Sequence, residues 1–161
     1  MTYYTLHNTP AGELLLMSDG ETVTGMHWTV FRRAPRVSAH WTENKEVFKD
    51  VIAQLDEYFA GKRQAFDLKI AFAGTPFQQS VWKELQKIPF GAHTSYQAIA
   101  ETIGKPKAVR AVGTAVGSNP ICIVVPCHRV LATSGKLGGY AGGLDSKRAL
   151  LTTEQIAWKE A

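Results

Sequence analysis

Cysteine is scarce in this chain: Cys122 and Cys127 are the only two among 161 residues. A secreted disulfide scaffold would carry more, so two reduced thiols in a reducing, cytoplasmic setting are expected. If the stretch is extended, side chains alternate between faces. Positions 122 and 127 then point to opposite sides, and no bridge between them is expected. No run approaches eighteen apolar residues, which argues against a transmembrane helix and any membrane role. The opening residues MTYYTLHNTPAGELLLMSDG lack a basic segment followed by an apolar core, so no signal peptide is expected. A zinc site wants about four ligands at characteristic spacings. Only Cys122, Cys127 and His128 cluster, while His7, His27, His40 and His93 are scattered, so neither metal nor cofactor is expected. Internal repeats and low-complexity segments are also missing.

What is present describes a globular protein: 45% hydrophobic and 20% charged residues, a length suited to one domain or a small domain leaning on another, and a net charge of +4. The mild positive excess permits a polyanionic partner such as nucleic acid without requiring one.

The chain changes character partway. Residues 1–30 alternate like short strands, separated by turn signals at Pro10-Ala11-Gly12 and Asp19-Gly20. Residues 32–44 are polar and irregular. From Lys45 to Ala60 apolar residues recur at helical spacing, and Gly61 ends that helix. FDLKIAF, residues 66–72, has strand alternation. After Gly74 the pattern turns helical. Thr75-Pro76-Phe77-Gln78 has a capping Thr, Pro at the first helical position and Gln three residues after the cap. Further helices are expected from Thr94 or Ser95 to Ile103, from Lys107 to Val116 and from Ser146 to Trp158. The fold class is therefore α/β in the α+β sense. Residues 1–74 form a small strand-and-helix domain, and residues 75–161 a mostly helical one.

The pair of helices around Gly104-Lys105-Pro106 fits a helix-turn-helix, and equally an ordinary helical hairpin. In the second of them Val109, Val112 and Val116 share a side. Ala108, Ala111, Gly113, Thr114, Ala115 and Gly117 are small, so this helix can approach another surface closely. Arg110 is its one long charged side chain between Lys107 and Ser118.

The densest chemistry is Pro126-Cys127-His128-Arg129. A free thiol with pKa about 8.5 is only about 3% thiolate at pH 7, and a neighbouring base or positive charge raises that fraction. Adjacent residues of a continuing strand would face opposite ways. Direct relay between Cys127 and His128 thus requires a bend at Cys127, which Pro126 favours. An inert buried cysteine and a cysteine hydrolase are competing readings at this point.

The motif VVPCHRV resembles the active-site signature of the O6-alkylguanine-DNA alkyltransferases, the methylated-DNA–protein-cysteine methyltransferases. FQQSVWKELQKIPFGAHTSYQAIA, KAVRAVGTAVGSNP and GGYAGG resemble the family's other blocks in the same order, over about residues 75–155. The N-terminal half is similar only in size and element pattern.

The resemblance implies repair of DNA by direct, irreversible transfer of an alkyl group from guanine O6 to Cys127, once per molecule. It makes His128 the base acting through a water and Glu154 the carboxylate that orients the imidazole. Double-stranded DNA bearing O6-alkylguanine would be the partner, bound through the minor groove by a helix-turn-helix, with the lesion flipped out of the stack. The protein would be a monomer; cooperative binding along DNA and O4-alkylthymine as a second substrate remain open. Arg110 matches the arginine that replaces the extruded base, and Ala111 and Thr114 belong to the small face entering the groove. Tyr96 matches the tyrosine that donates to guanine N3. Asn119 matches the asparagine of the turn beside the active site, with a chiefly structural role. The carbonyls of Cys127 and Val130 would accept from the guanine amino group. In GGYAGG, Tyr140 matches an aromatic of the pocket wall. Ala141 stands where relatives carry serine and keeps its backbone N–H available to O6. Some relatives bind zinc in the N-terminal domain, but no cysteine precedes Cys122 here, so none is expected.

Overall fold

The computed structural model describes residues 1–160. Three antiparallel strands open the chain: β1 Tyr3–Thr9, β2 Gly12–Ser18 and β3 Val23–Trp28. A short strand β4, Thr42–Glu43, joins the other edge in parallel, giving the order β3-β2-β1-β4. Alternation puts Leu14 and Leu16 of β2 and Met26 and Trp28 of β3 inside. A single turn of 3-10 helix, Lys45–Phe48, leads into α1, Lys49–Phe59, which lays Val51, Leu55 and Tyr58 on the core.

The segment 66–72 does not form the strand its alternation suggests. Phe66, Leu68, Ile70 and Phe72 do turn toward the core, as the period-two pattern requires. The backbone, however, bonds the sheet only around Val23, through Val23 N–H to Lys69 O at 2.8 Å and Ala71 N–H to Val23 O at 3.0 Å. The free edge of β3 is shared: further along, Met26 N–H donates to Pro120 O and Cys122 N–H to Met26 O, both at 2.9 Å. A strand edge split between two segments cannot give either a full ladder.

α2, Pro76–Gln86, begins with the capping box read from the sequence: Gln78 N–H donates to Thr75 Oγ1, and Thr75 N–H to Gln78 Oε1. A two-residue strand β5, Thr94–Ser95, pairs in parallel with β6, Val130–Leu131. Between them lie α3, Tyr96–Thr102, capped by Ser95, and α4, Val109–Gly117. Both α2 and α3 pack on α4, and Trp82 Nε1–H reaches the Ala115 carbonyl at 2.9 Å. Ala115 is buried in this packing. α5 runs Leu144–Thr153, ending five residues before the expected Trp158. The chain turns left-handed at Gln155 (φ 59°), so Ile156 folds back against Leu131, Leu137 and Leu151.

One buried cluster runs across residue 74, joining Leu14, Trp28, Leu55 and Tyr58 to Trp82, Val112, Ile121 and Cys127. Among the described residues no helix is long and apolar enough to cross a membrane.

Candidate active site

The apolar run before Cys127 is curled, not extended. Ile123 is left-handed (φ 71°), a rare conformation for a β-branched residue. The curl is closed by Val124 N–H to Cys122 O at 2.8 Å and Val125 N–H to Ile121 O at 3.0 Å. Asn119 pins it from inside, donating to Val125 O at 2.7 Å and accepting from Ile121 N–H at 3.0 Å. The opposite placement expected of the two thiols assumed an extended stretch, and the stretch is not extended. The left-handed residue between them breaks the period of two. Both cysteines are buried and free.

After Pro126 the chain makes one 3-10 turn, Cys127–Arg129, which supplies the bend that adjacent Cys and His need. Cys127 lies at a cavity of about 510 Å³, walled by Tyr96, Tyr140 and Ala141 and by Val109 and Gly113 of α4. Its thiol pKa is held below the ordinary value, first by the Cys122 thiol, then against burial by Asn119, the Lys147 charge and the Tyr140 hydroxyl. Cys122 is pushed up by the same pairing and by burial.

His128 is fully buried. Its Nε2 lies 2.6 Å from Glu154 Oε2. Glu154 stands at the C-terminal end of α5 and is itself buried, unlike a routine surface acid. Its carboxylate also accepts from Arg129 Nε at 2.7 Å, Arg129 Nη2 at 3.0 Å, Tyr58 Oη at 2.6 Å and Gly91 N–H at 3.1 Å. Burial alone would raise this carboxyl, but hydrogen bonds from His128, Arg129 and Tyr58 outweigh it and hold the pKa at about 2. An ionised carboxylate only accepts, so the proton facing it sits on Nε2 and the His128 Nδ1 lone pair is free. Nδ1 is buried without a hydrogen-bond partner among the described residues. Burial also lowers the His128 pKa, against the opposing pull of Glu154, so the ring is neutral near pH 7.

Four participants have little signal in the sequence. Lys147, on α5, is fully buried; its ammonium donates to the carbonyls of Val130 at 2.8 Å, Gly139 at 3.2 Å and Leu137. Burial drops its pKa to about 8. Trp28 of β3 donates to Tyr140 Oη at 3.1 Å and backs the glycine loop so closely that a Cβ on Gly142 would lie 2.7 Å from its Cγ. Phe31 and Arg33, in the polar segment after β3, line the same cavity.

The remaining sequence candidates fall in two places. Val130 is buried, does not line the cavity, and already accepts from Lys147 with its carbonyl. Arg110, Ala111 and Thr114 are exposed on the outer face of α4, along a separate open groove shared with Thr75 and Gln78. α4 thus has two faces in use: Val109 and Gly113 wall the cavity while Arg110 and Thr114 face outward. No cluster of three or more metal-ligating side chains occurs among the described residues.

Residues 76–156 match the family model for the 6-O-methylguanine DNA methyltransferase DNA-binding domain, and residues 2–72 that for the ribonuclease-like domain of the same family. The chain is 46% identical over 153 residues to a methylated-DNA–protein-cysteine methyltransferase of Methanosarcina barkeri, covering 95% of this chain and 97% of that one. It is 42% identical over 157 residues to the protein of that name from Haemophilus influenzae, covering 97% and 88%. The crystal structure of Mycobacterium tuberculosis OGT in complex with DNA aligns with a TM-score of 0.89 at 45% identity, over 95% of this chain and 92% of that chain. On this similarity, which spans nearly the whole length, the chain belongs to the 6-O-methylguanine DNA methyltransferase family.

Proposed function

We propose that this protein repairs DNA by transferring the alkyl group of O6-alkylguanine to Sγ of its own Cys127, once per molecule. The observation that carries this is the Glu154–His128 pair: its fixed tautomer leaves a buried basic nitrogen one residue from a cavity-lining thiol of depressed pKa. Ionised Glu154 holds Nε2–H, so Nδ1 can take the thiol proton through one water. The thiolate attacks the alkyl carbon, the S–C bond forms as the C–O6 bond breaks, and the electron pair leaves onto guanine. Tyr96, whose phenol is kept protonated by burial and by Cys127, donates toward N3 as that charge develops. The product thioether has no route back to thiolate, which makes the reaction stoichiometric.

A stacked guanine cannot reach this cavity, so the base must be extruded. The exposed small face of α4, with Ala111 and Thr114, suits the minor groove, about 6 Å wide. Arg110 would occupy the vacated position in the stack. Ala141 offers its backbone N–H to O6, and Tyr140 closes the cavity. The protein acts as a monomer in a reducing, cytoplasmic environment. Intact-mass measurement after mixing with O6-methylguanine duplex tests the reading: one methyl per chain, mapped to Cys127 and never released. Continuous turnover, or binding without mass change, would overturn it.

A further inference from the structure

One hydroxyl from the N-terminal half of the chain reaches the Glu154–His128 pair. Tyr58, near the end of α1, is fully buried and donates through Oη to Glu154 Oε2 at 2.6 Å. The same oxygen lies 2.6 Å from His128 Nε2. The Tyr58 ring is held in place without its hydroxyl. Phe59 and Phe90 meet it edge-on, with centroids 5.0 and 6.1 Å away, and Phe66 lies tilted at 5.5 Å. Burial and the Glu154 charge push the phenol pKa far up, so Tyr58 always donates. Arg129 supplies the counter-charge of the carboxylate, bonding both oxygens, and Gly91 N–H bonds Oε1. What Tyr58 adds is a second short hydrogen bond on the oxygen that holds the histidine.

We propose that Tyr58 is a positioning residue for alkyl transfer: by sharing Oε2 with His128 it limits how strongly Glu154 draws on the imidazole, and so keeps Nδ1 open for the thiol proton. The proposal rests on the transfer reading, in which Nδ1 is the base. A carboxylate relieved of one donor bonds harder to those that remain. Without the hydroxyl, Glu154 would pull more strongly on Nε2–H and favour the doubly protonated ring, whose Nδ1 has nothing left to accept with. The other influences on the ring are fixed. Glu154 itself favours the second proton, while burial, Arg129 in the same turn and Lys147 of α5 oppose it. Gly91 N–H, from the loop after α2, reaches only the far oxygen. Tyr58 thus brings α1, and with it residues 1–74, into the chemistry of Cys127.

The test compares three full-length proteins: wild type, Tyr58→Phe, and the chain with 3-fluorotyrosine in place of Tyr58. The first change removes the hydroxyl alone. The second keeps it as a stronger donor and covers the case in which the phenylalanine variant folds poorly. Ring-nitrogen NMR follows the titration of His128, and single-turnover reaction with free O6-benzylguanine gives the rate at each pH. Tyr58→Phe should raise the His128 midpoint by about half a pH unit, and fluorotyrosine should lower it. The acid limb of the rate profile should move in the same order. Tyr58→Phe should then be about threefold slower below the midpoint and no slower on the plateau. A lower plateau with an unmoved midpoint would give Tyr58 a packing role only and overturn the proposal, as would coincident midpoints in all three proteins or a shift in the reverse order. Methyl transfer to Cys127 of the wild type is followed by mass in parallel. Its absence defeats the repair reading and this proposal with it, whereas transfer with unmoved midpoints defeats this proposal alone.

Discussion

Arg129 and Glu154 form a buried two-point ion pair, Nε to Oε1 at 2.7 Å and Nη2 to Oε2 at 3.0 Å, one residue away from the histidine that the same carboxylate orients. Arg129 also donates to the Ile88 carbonyl at 2.6 Å. Glu154 therefore ties together α5, the Cys127 turn and the loop after α2. Replacing it should disturb stability and chemistry at once.

Glu154→Gln keeps the shape but leaves Arg129 as an uncompensated buried charge, a loss of roughly 3–5 kcal/mol. It also replaces the ionised acceptor of Nε2–H by a neutral amide, which holds the tautomer and supports the imidazolium less well, so transfer should slow even where the variant stays folded. Chemical denaturation and single-turnover rates check the two effects separately. The wild type has a matching pH dependence. The folded carboxyl titrates at about 2 against an ordinary 4.5. Its contribution is full above about 4.5 and lost as pH falls through about 2; at 1.36 kcal/mol per unit it amounts to about 3 kcal/mol. Acid unfolding of wild type should steepen in that window, and that of Glu154→Gln should not.

Cys122→Ala should transfer normally if Cys122 is a bystander, and its place as the first cause of the lowered Cys127 pKa predicts otherwise. Removing the thiol that most lowers the Cys127 pKa raises that pKa. The alanine variant should react more slowly at pH 7, by several-fold, and approach the wild-type rate at a pH above both thiol pKa values. Rate–pH profiles with a free O6-alkylguanine base decide it. A profile superimposable on wild type would show that the pairing does not tune the acceptor.

These two cysteines also mark where sequence reasoning reached its limit. Local signals were legible: the Thr75–Gln78 capping box, the Ser95 start of α3, and the inward set Phe66, Leu68, Ile70 and Phe72 all follow from rules acting within a few residues. The motif residues Tyr96, Cys127, Tyr140 and Ala141 do meet around one cavity. What stayed hidden depends on long-range placement. Lys147 looks like a solvated helix lysine until three carbonyls of the 130–139 segment are seen to surround it. Trp28 reaches Tyr140 from 112 positions away. Left-handed Ile123 contradicts the preference of its own side chain, so no propensity could have announced the curl.

Arg110→Ala tests the division of α4 into an outer and a cavity face. Arg110 is exposed, lines the outer groove and does not line the Cys127 cavity. Its proposed task is to fill the gap left by an extruded base, a step that a free base does not need. The variant should repair O6-methylguanine in duplex DNA at least tenfold more slowly, while reacting with free O6-benzylguanine at close to the wild-type rate. Equal slowing on both substrates would assign Arg110 to the chemistry instead.

The fate of the alkylated protein follows from the packing around the acceptor. Cys127 is 4% exposed and lies at the wall of the cavity, and Cys122, Asn119, Lys147 and Tyr140 together lower its pKa. A methyl group on that sulfur crowds the walls closest to Cys127, and overpacking of this kind costs roughly 1–3 kcal/mol. The thioether also gives up the negative charge that Cys122, Asn119, Tyr140 and Lys147 are arranged to stabilise, which leaves the Lys147 ammonium buried without its counter-charge. Total domain stability is only about 5–15 kcal/mol. The methylated protein should therefore melt below the fresh one by several degrees, at about 2–4 °C per kcal/mol for a chain of this size, and benzyl transfer should lower the midpoint further. Asn119 links the strained turn directly to the end of α4, so loosening there would reach the face that carries Arg110 and Thr114. Matched thermal melts of unmodified, methylated and benzylated protein without DNA decide the matter. An unchanged or raised midpoint in both alkylated forms would mean that the cavity yields to the new group without strain, and would leave Cys127 as acceptor untouched.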